Sequence, residues 1–148
     1  MGLRIRKIHI KNFRSARNLT VTPGKLAILV GKNDSGKSNI LRALNLFFNG
    51  KTDQNKSLQF DVDHNIYDLP NRRAKQISVK IELEIPQNYR RVNGDFVVWE
   101  KRWRAEGLVY DKYEGKREVA GPRGGVSWEG ITIPDRSNLH TLLRNIKF

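Results

Sequence analysis

The chain has 148 residues, with 28 Lys and Arg against 15 Asp and Glu for a formal charge of +13, 38% apolar residues and no cysteine. That length and apolar fraction support one packed domain. The missing cysteines exclude a disulfide framework, a cysteine zinc site and a thiol nucleophile, and the scattered His9, His64 and His140 make a poor metal set.

Residues 3–13 read as a strand with Leu3, Ile5, Ile8, Ile10 and Phe13 apolar; the phase slips between Ile5 and Ile8, the sign of a bulge or a twist. A short strand near Leu19 and Val21 pairs with it as an antiparallel ribbon around Asn12–Asn18. Pro23-Gly24 turns the chain, and Leu26-Ala27-Ile28-Leu29-Val30 is the continuous apolar run of a strand buried on both faces. From Lys37 to Phe48 the residues Ile40, Leu41, Leu44, Phe47 and Phe48 recur at helical spacing, with Asn49-Gly50 as the stop. Residues 51–76 are polar and irregular and read as loop: Asp61, Asp63, His64 and Asp68 precede Pro70 and the basic cluster Arg72, Arg73 and Lys75. Ile77, Val79, Ile81, Leu83 and Ile85 then alternate strictly with polar residues, opening an antiparallel meander over 77–133. Its further strands fall at 96–104, 107–113 and 126–133, separated by Asn93-Gly94, Glu106-Gly107, Glu114-Gly115 and Gly121–Gly125. Over 135–148, Leu139, Leu142, Leu143 and Ile146 mark a helix face beginning after Asp135 or Ser137, and the sequence stops with that helix unfinished. No apolar run reaches the roughly 18 residues of a membrane span, and charges interrupt every apolar stretch of the start, so a cytoplasmic protein without a membrane partner is expected.

The segment Gly31-Lys32-Asn33-Asp34-Ser35-Gly36-Lys37-Ser38 matches G-x-x-x-x-G-K-[ST]. Its glycines let consecutive backbone N–H groups point inward at phosphate oxygens, aided by the positive end of the following helix. Lys37 reaches the β/γ-phosphates and the Ser38 hydroxyl ligates Mg²⁺. A chance match in a chain of this length is on the order of one in a hundred, and the flanking strand and helix are the context the mechanism needs. Hydrolysis further requires an acidic motif after an apolar strand. Leu108-Val109-Tyr110-Asp111 continues with Lys112, and Val97-Val98-Trp99-Glu100 lacks the aspartate. Both read better as meander strands, which places the acidic motif outside these residues.

Arg90-Arg91, Lys101-Arg102-Trp103-Arg104 and Lys112 through Arg117 interleave basic residues with Trp99, Trp103, Tyr110 and Tyr113. Cations beside aromatics can grip a phosphate backbone and stack on bases. The alternation, however, puts Trp99 and Trp103 on one face, which reads as core or subunit contact.

Taken together, Ile8-His9-Ile10-Lys11-Asn12-Phe13-Arg14-Ser15, the ribbon, the strand at 26–30 and the phosphate loop resemble the N-terminal lobe of RecF/SMC-type ABC ATPases. The Asn33-Asp34-Ser35 form of the loop, followed by Ser38-Asn39-Ile40-Leu41, is most similar to the OLD (overcoming lysogenisation defect) family and related RecF-like ATPases. The resemblance is specific over 1–50 and architectural over 51–133. It implies an α/β (mixed α+β) P-loop NTPase fold, with a mixed sheet, the P-loop helix and an antiparallel β-subdomain. It also implies ATP and Mg²⁺ held between two heads of a homodimer, each completed by a C-terminal lobe with an LSGGQ-like signature and an acidic motif. Gly121-Pro122-Arg123-Gly124-Gly125-Val126-Ser127 lacks the signature pattern, so the chain reads as an N-terminal fragment that binds nucleotide without completing a catalytic site. By matching positions, Gly31, Asn33, Gly36, Lys37, Ser38 and Asn39 line the phosphates in the loop that also carries Lys32, Asp34 and Ser35. Asp34 occupies a slot often held by glycine, where its side chain is expected to point outward or cap the loop. Arg14 approaches the nucleotide from the ribbon turn, and Gln76 is the candidate glutamine for the ion or the attacking water. The full-length protein is then an ATPase coupling nucleotide binding and hydrolysis to DNA-related work such as repair or phage defence, with DNA as partner. The alternative is a non-hydrolysing basic DNA-binding or assembly module with a relic or structural P-loop.

Overall fold

The computed structural model describes residues 4–14, 16–22, 35–53, 56–64, 75–133 and 137–144, and for 16, 17, 35–38, 53, 56, 61 and 62 the backbone alone. The strand expected at 26–30 lies outside the described residues. Strand β1 (Arg4–Phe13) turns back at Arg14 into β2 (Ala16–Val21), the expected ribbon, pairing from Ile8 opposite Val21 to Phe13 opposite Ala16. The phase slip is a bulge. Ile5 faces Leu83 and Ile8 faces Ile81, with the register shift between Ile5 and Lys7, so the extra residue returns Ile8 and Ile10 to the side occupied by Ile5.

Helix α1 (Ser35–Asn49) carries Ile40, Ala43, Leu44 and Phe47 on its buried side. It ends where Gly50, at φ +72, donates its N–H to the Leu46 carbonyl at 3.0 Å, a left-handed cap that glycine adopts without strain. The described part of 51–76 departs from the expected loop. It holds a ribbon, β3 (Lys51–Asp53) with β4 (Lys56–Ser57), and a single turn, α2 (Phe60–Asp63). These pieces are too short to show a period in the sequence. Tertiary contacts fix them: Phe13 bridges His64, and Phe60 stacks on the His64 ring at 4.9 Å.

The meander follows as β5 (Ile77–Glu84), β6 (Phe96–Arg104), β7 (Gly107–Ala120), a 3-10 turn (Pro122–Gly124) and β8 (Val126–Ile131). Two features differ from the sequence reading. A helix, α3 (Gln87–Asn93), fills the interval before β6, its last carbonyls at Arg90 and Arg91 receiving Arg117 Nη2 at 3.2 and 2.6 Å. Glu114-Gly115 is also no turn but the middle of β7. Gly115 lies opposite Val97 and Ile131, and the Asn93 carbonyl occupies the space a Cβ would need. Glycine stands there to let the end of α3 approach, not to reverse the chain.

The sheet order is β2-β1-β5-β6-β7-β8, and every pairing among the described residues is antiparallel. The meander thus continues edge to edge from the ribbon through β1 and β5. One face, with Ile8, Ile10, Val79, Ile81, Trp99 and Trp103, packs under α1 and under α4 (Asn138–Arg144), which buries Leu139 and Leu143. Ser137 Oγ accepts the His140 N–H at 3.1 Å and starts that helix. The fold is mixed α/β. No helix among the described residues is long and apolar enough to cross a membrane.

Candidate functional site

The phosphate motif runs into α1. Ser35, Gly36, Lys37 and Ser38 open the helix, while Gly31, Lys32, Asn33 and Asp34 lie outside the described residues. A first helical turn presents backbone N–H groups that have no partner within the helix, and no acidic side chain stands in that turn of α1. The described part of the site therefore fits an oxyanion. Packing holds it in place, since Ile40, Leu44 and Phe47 are buried on the sheet and Phe47 meets Trp99 edge-on with ring centroids 5.0 Å apart. Asn39 is buried, and its Oδ1 accepts from Arg42 Nη1 at 3.4 Å. Among the described residues no three His, Asp or Glu gather as metal ligands.

The ribbon turn carries Arg14 in a left-handed conformation at φ +50. Its guanidinium lies on the buried Asp63 carboxylate, with Nε and Nη2 each 2.8 Å from Oδ1. Its N–H donates to the Asp63 carbonyl at 2.6 Å, and the other carboxylate oxygen takes the Gln59 N–H at 2.9 Å. Asp63 thus ties the turn of the ribbon to α2, a role the sequence did not signal because it lay in what read as loop. Gln76 immediately precedes β5, and its carbonyl accepts from Asn12 Nδ2 at 3.3 Å. Arg14 and Gln76 are therefore brought to the same end of the sheet, beside the last residues of β1.

Both carboxylates weighed as an acidic motif have structural partners. Asp111 accepts the Trp99 indole N–H at 2.7 Å and pairs with Arg144 at 3.1 Å. Glu100 accepts from Ser78 Oγ at 2.8 Å and from Arg102 Nε at 2.9 Å. Burial works to raise the Glu100 pKa, but the hydrogen bonds from Arg102 and Ser78 and the charges of Arg102 and Lys80 leave it below its ordinary 4.5. Trp99 and Trp103 are 3% and 5% exposed, so they are core side chains as the alternation indicated, unable to offer a ring face to a base.

A family model described as the AAA ATPase domain matches residues 3–121, which includes the ribbon, the phosphate motif and most of the sheet. The uncharacterized protein MJECL10 of Methanocaldococcus jannaschii is 35% identical over 92 residues, covering 53% of this chain and 41% of that protein. The uncharacterized protein MJECL44 of the same organism is 50% identical over 46 residues, covering 30% of this chain and 14% of its own length. The match thus spans less than half of either relative.

Proposed function

The chain belongs to the AAA ATPase domain family, a nucleotide-binding P-loop class, and from that premise we propose that it binds MgATP as the N-terminal part of an ABC-type head of the RecF and OLD kind. The observation that carries this reading is the G-x-x-x-x-G-K-S motif running directly into the first turn of a helix whose apolar side is fixed in the core. Lys37 would hold the β/γ-phosphates and Ser38 the ion, with Gly31, Asn33, Gly36 and Asn39 lining the phosphates. Bound Mg²⁺ supplies charge neutralisation of the phosphates. The chain's own contribution is to bind and orient them against a rigid helix.

In the whole protein a C-terminal lobe supplies the signature and acidic motifs, and two heads close on nucleotide as a homodimer. That cycle serves DNA-related work such as repair or phage defence. Supporting a DNA partner is the charge of +13; supporting an external acidic motif are the structural partners already held by Asp111 and Glu100.

Titration with a fluorescent ATP analogue and Mg²⁺, using Lys37→Ala as control, tests the reading. Wild type is expected to bind at least about tenfold more tightly, the worth of one charge-assisted contact to phosphate. Equal and weak binding by both would favour a basic DNA-binding or assembly module with a structural P-loop.

A further inference from the structure

At the other end of α1, roughly 16 Å from its first turn at 1.5 Å per residue, lies an open pocket of about 350 Å³. The last turn of α1, the residues after β4 and the β6–β7 hairpin form its walls. Phe47, Phe48, Leu58, Phe60, Trp103 and Leu108 supply an apolar and aromatic lining, and Lys101 and Arg104 stand among them with no Asp or Glu among the described residues that line the space. Such walls solvate an organic body but leave a cation wanting a counter-charge.

Among the described residues neither cation is fully used by the protein. Lys101 Nζ donates to the Phe47 carbonyl at 2.6 Å and lies over the Phe47 and Trp99 rings at 4.8 and 5.1 Å, yet an ammonium has three hydrogens. Burial pushes the Lys101 pKa below its ordinary 10.5 against the pull of Asp111, which faces it from β7 but is itself held by Trp99 and Arg144. The Arg104 Nε–H is buried and has no hydrogen-bond partner among the described residues. A buried donor of this kind calls for an acceptor.

We propose that this pocket binds a small organic anion, its carboxylate received by Lys101 and Arg104 and its apolar body by Phe47, Leu58 and Trp103. The site uses no residue of the phosphate motif, so it stands or falls separately from nucleotide binding.

Titration of 4-phenylbutyrate into the full chain, followed by tryptophan fluorescence and chemical-shift mapping, provides the test. The acid is expected to bind saturably and about tenfold more tightly than 4-phenylbutan-1-ol, which lacks the charge-assisted hydrogen bonds. Arg104→Gln should abolish most of that preference. Because Leu108 is 50% exposed at the rim, both Leu108→Glu and Leu108→Lys fold, and the Glu variant should bind the acid several-fold more weakly than the Lys variant. Lys37→Ala should leave binding of the acid unchanged. Equal binding of acid and alcohol, equal affinity in the two Leu108 variants, or the absence of saturable binding in the wild type would overturn the proposal.

Discussion

Replacing Asp63 with alanine removes the carboxylate on which the ribbon turn and α2 both depend. That group is 2% exposed and accepts from Arg14 Nε and Nη2 at 2.8 Å and from the Gln59 N–H at 2.9 Å. At about 1 kcal/mol net for each hydrogen bond, its loss costs roughly 3 kcal/mol. The Arg14 side chain is 25% exposed, so water reaches the guanidinium once the carboxylate is gone, which keeps the figure at the low end of the roughly 3–5 kcal/mol for a broken buried pair. For a chain of this size the expected fall in Tm is about 6–12 °C. Thermal and urea unfolding of Asp63→Ala, Arg14→Ala and the double variant form a cycle, with an expected coupling of about 2 kcal/mol. Single effects that add to the double within about 0.5 kcal/mol would refute the reasoning. MgATP titration of the folded variants then separates two roles for Arg14: affinity lost in Arg14→Ala but kept in Asp63→Ala marks a residue that faces nucleotide, and unchanged affinity in both leaves it the structural role alone.

Three other outcomes are expected. Gly115→Ala drives a Cβ into the Asn93 carbonyl and should cost about 1–3 kcal/mol in urea unfolding, as overpacking does, with the backbone amides of α3 shifting most by NMR. Trp99→Phe keeps the ring against Phe47 but loses the 2.7 Å bond to Asp111, a loss of about 1–3 kcal/mol that Asp111→Ala should largely mask in a double-mutant cycle. Glu100 has a folded pKa held below 4.5, so its contacts add stability above that pH and the contribution is lost as pH falls through the lower folded value; Glu100→Gln should flatten this part of the acid unfolding curve, and an unchanged curve would count against the Arg102 contact.

The elements legible in the sequence were those whose reasons are local. The glycine spacing of the phosphate motif, the 3–4 spacing from Ile40 to Phe47 and the alternation from Ile77 to Leu83 each state their geometry within one element. Even the bulge of β1 showed as a slip in phase. What escaped depended on distant partners. Gly115 reads as a turn until Asn93 is set against it, and Asp63 reads as loop until Arg14 closes on it. The short β3 and β4 exist because α1 and their own pairing hold them, not because Lys51–Asp53 has any strand character of its own. Likewise Lys101 and Arg104 lie in a basic run that looks solvent-facing, and only the tertiary structure shows that both line an apolar pocket, with Lys101 bonded to the end of α1.

The charge of the chain illustrates the same dependence on register. On the open face of the sheet, cross-strand neighbours form rows: His9, Lys80, Glu100 and Lys112 in one, and Arg4, Glu84, Phe96 and Lys116 in another. Between them Lys7, Glu82, Val98 and Glu114 stand opposite one another, with Glu82 also accepting His9 Nε2 at 3.0 Å and Lys116 pairing with Glu114. Glutamates therefore interleave with the lysines at the spacing of adjacent strands, close enough for each to dominate its neighbour's field over a Debye length of about 8 Å. Aromatic rings there are occupied as well: Arg102 covers Tyr110 at 4.2 Å and Arg6 covers Phe96 at 4.1 Å. A polyanion laid across these three rows would meet a carboxylate in each and rings already taken by cations. The proposed DNA partner consequently draws its support from the excess of Lys and Arg over the whole chain rather than from these three rows of the open face.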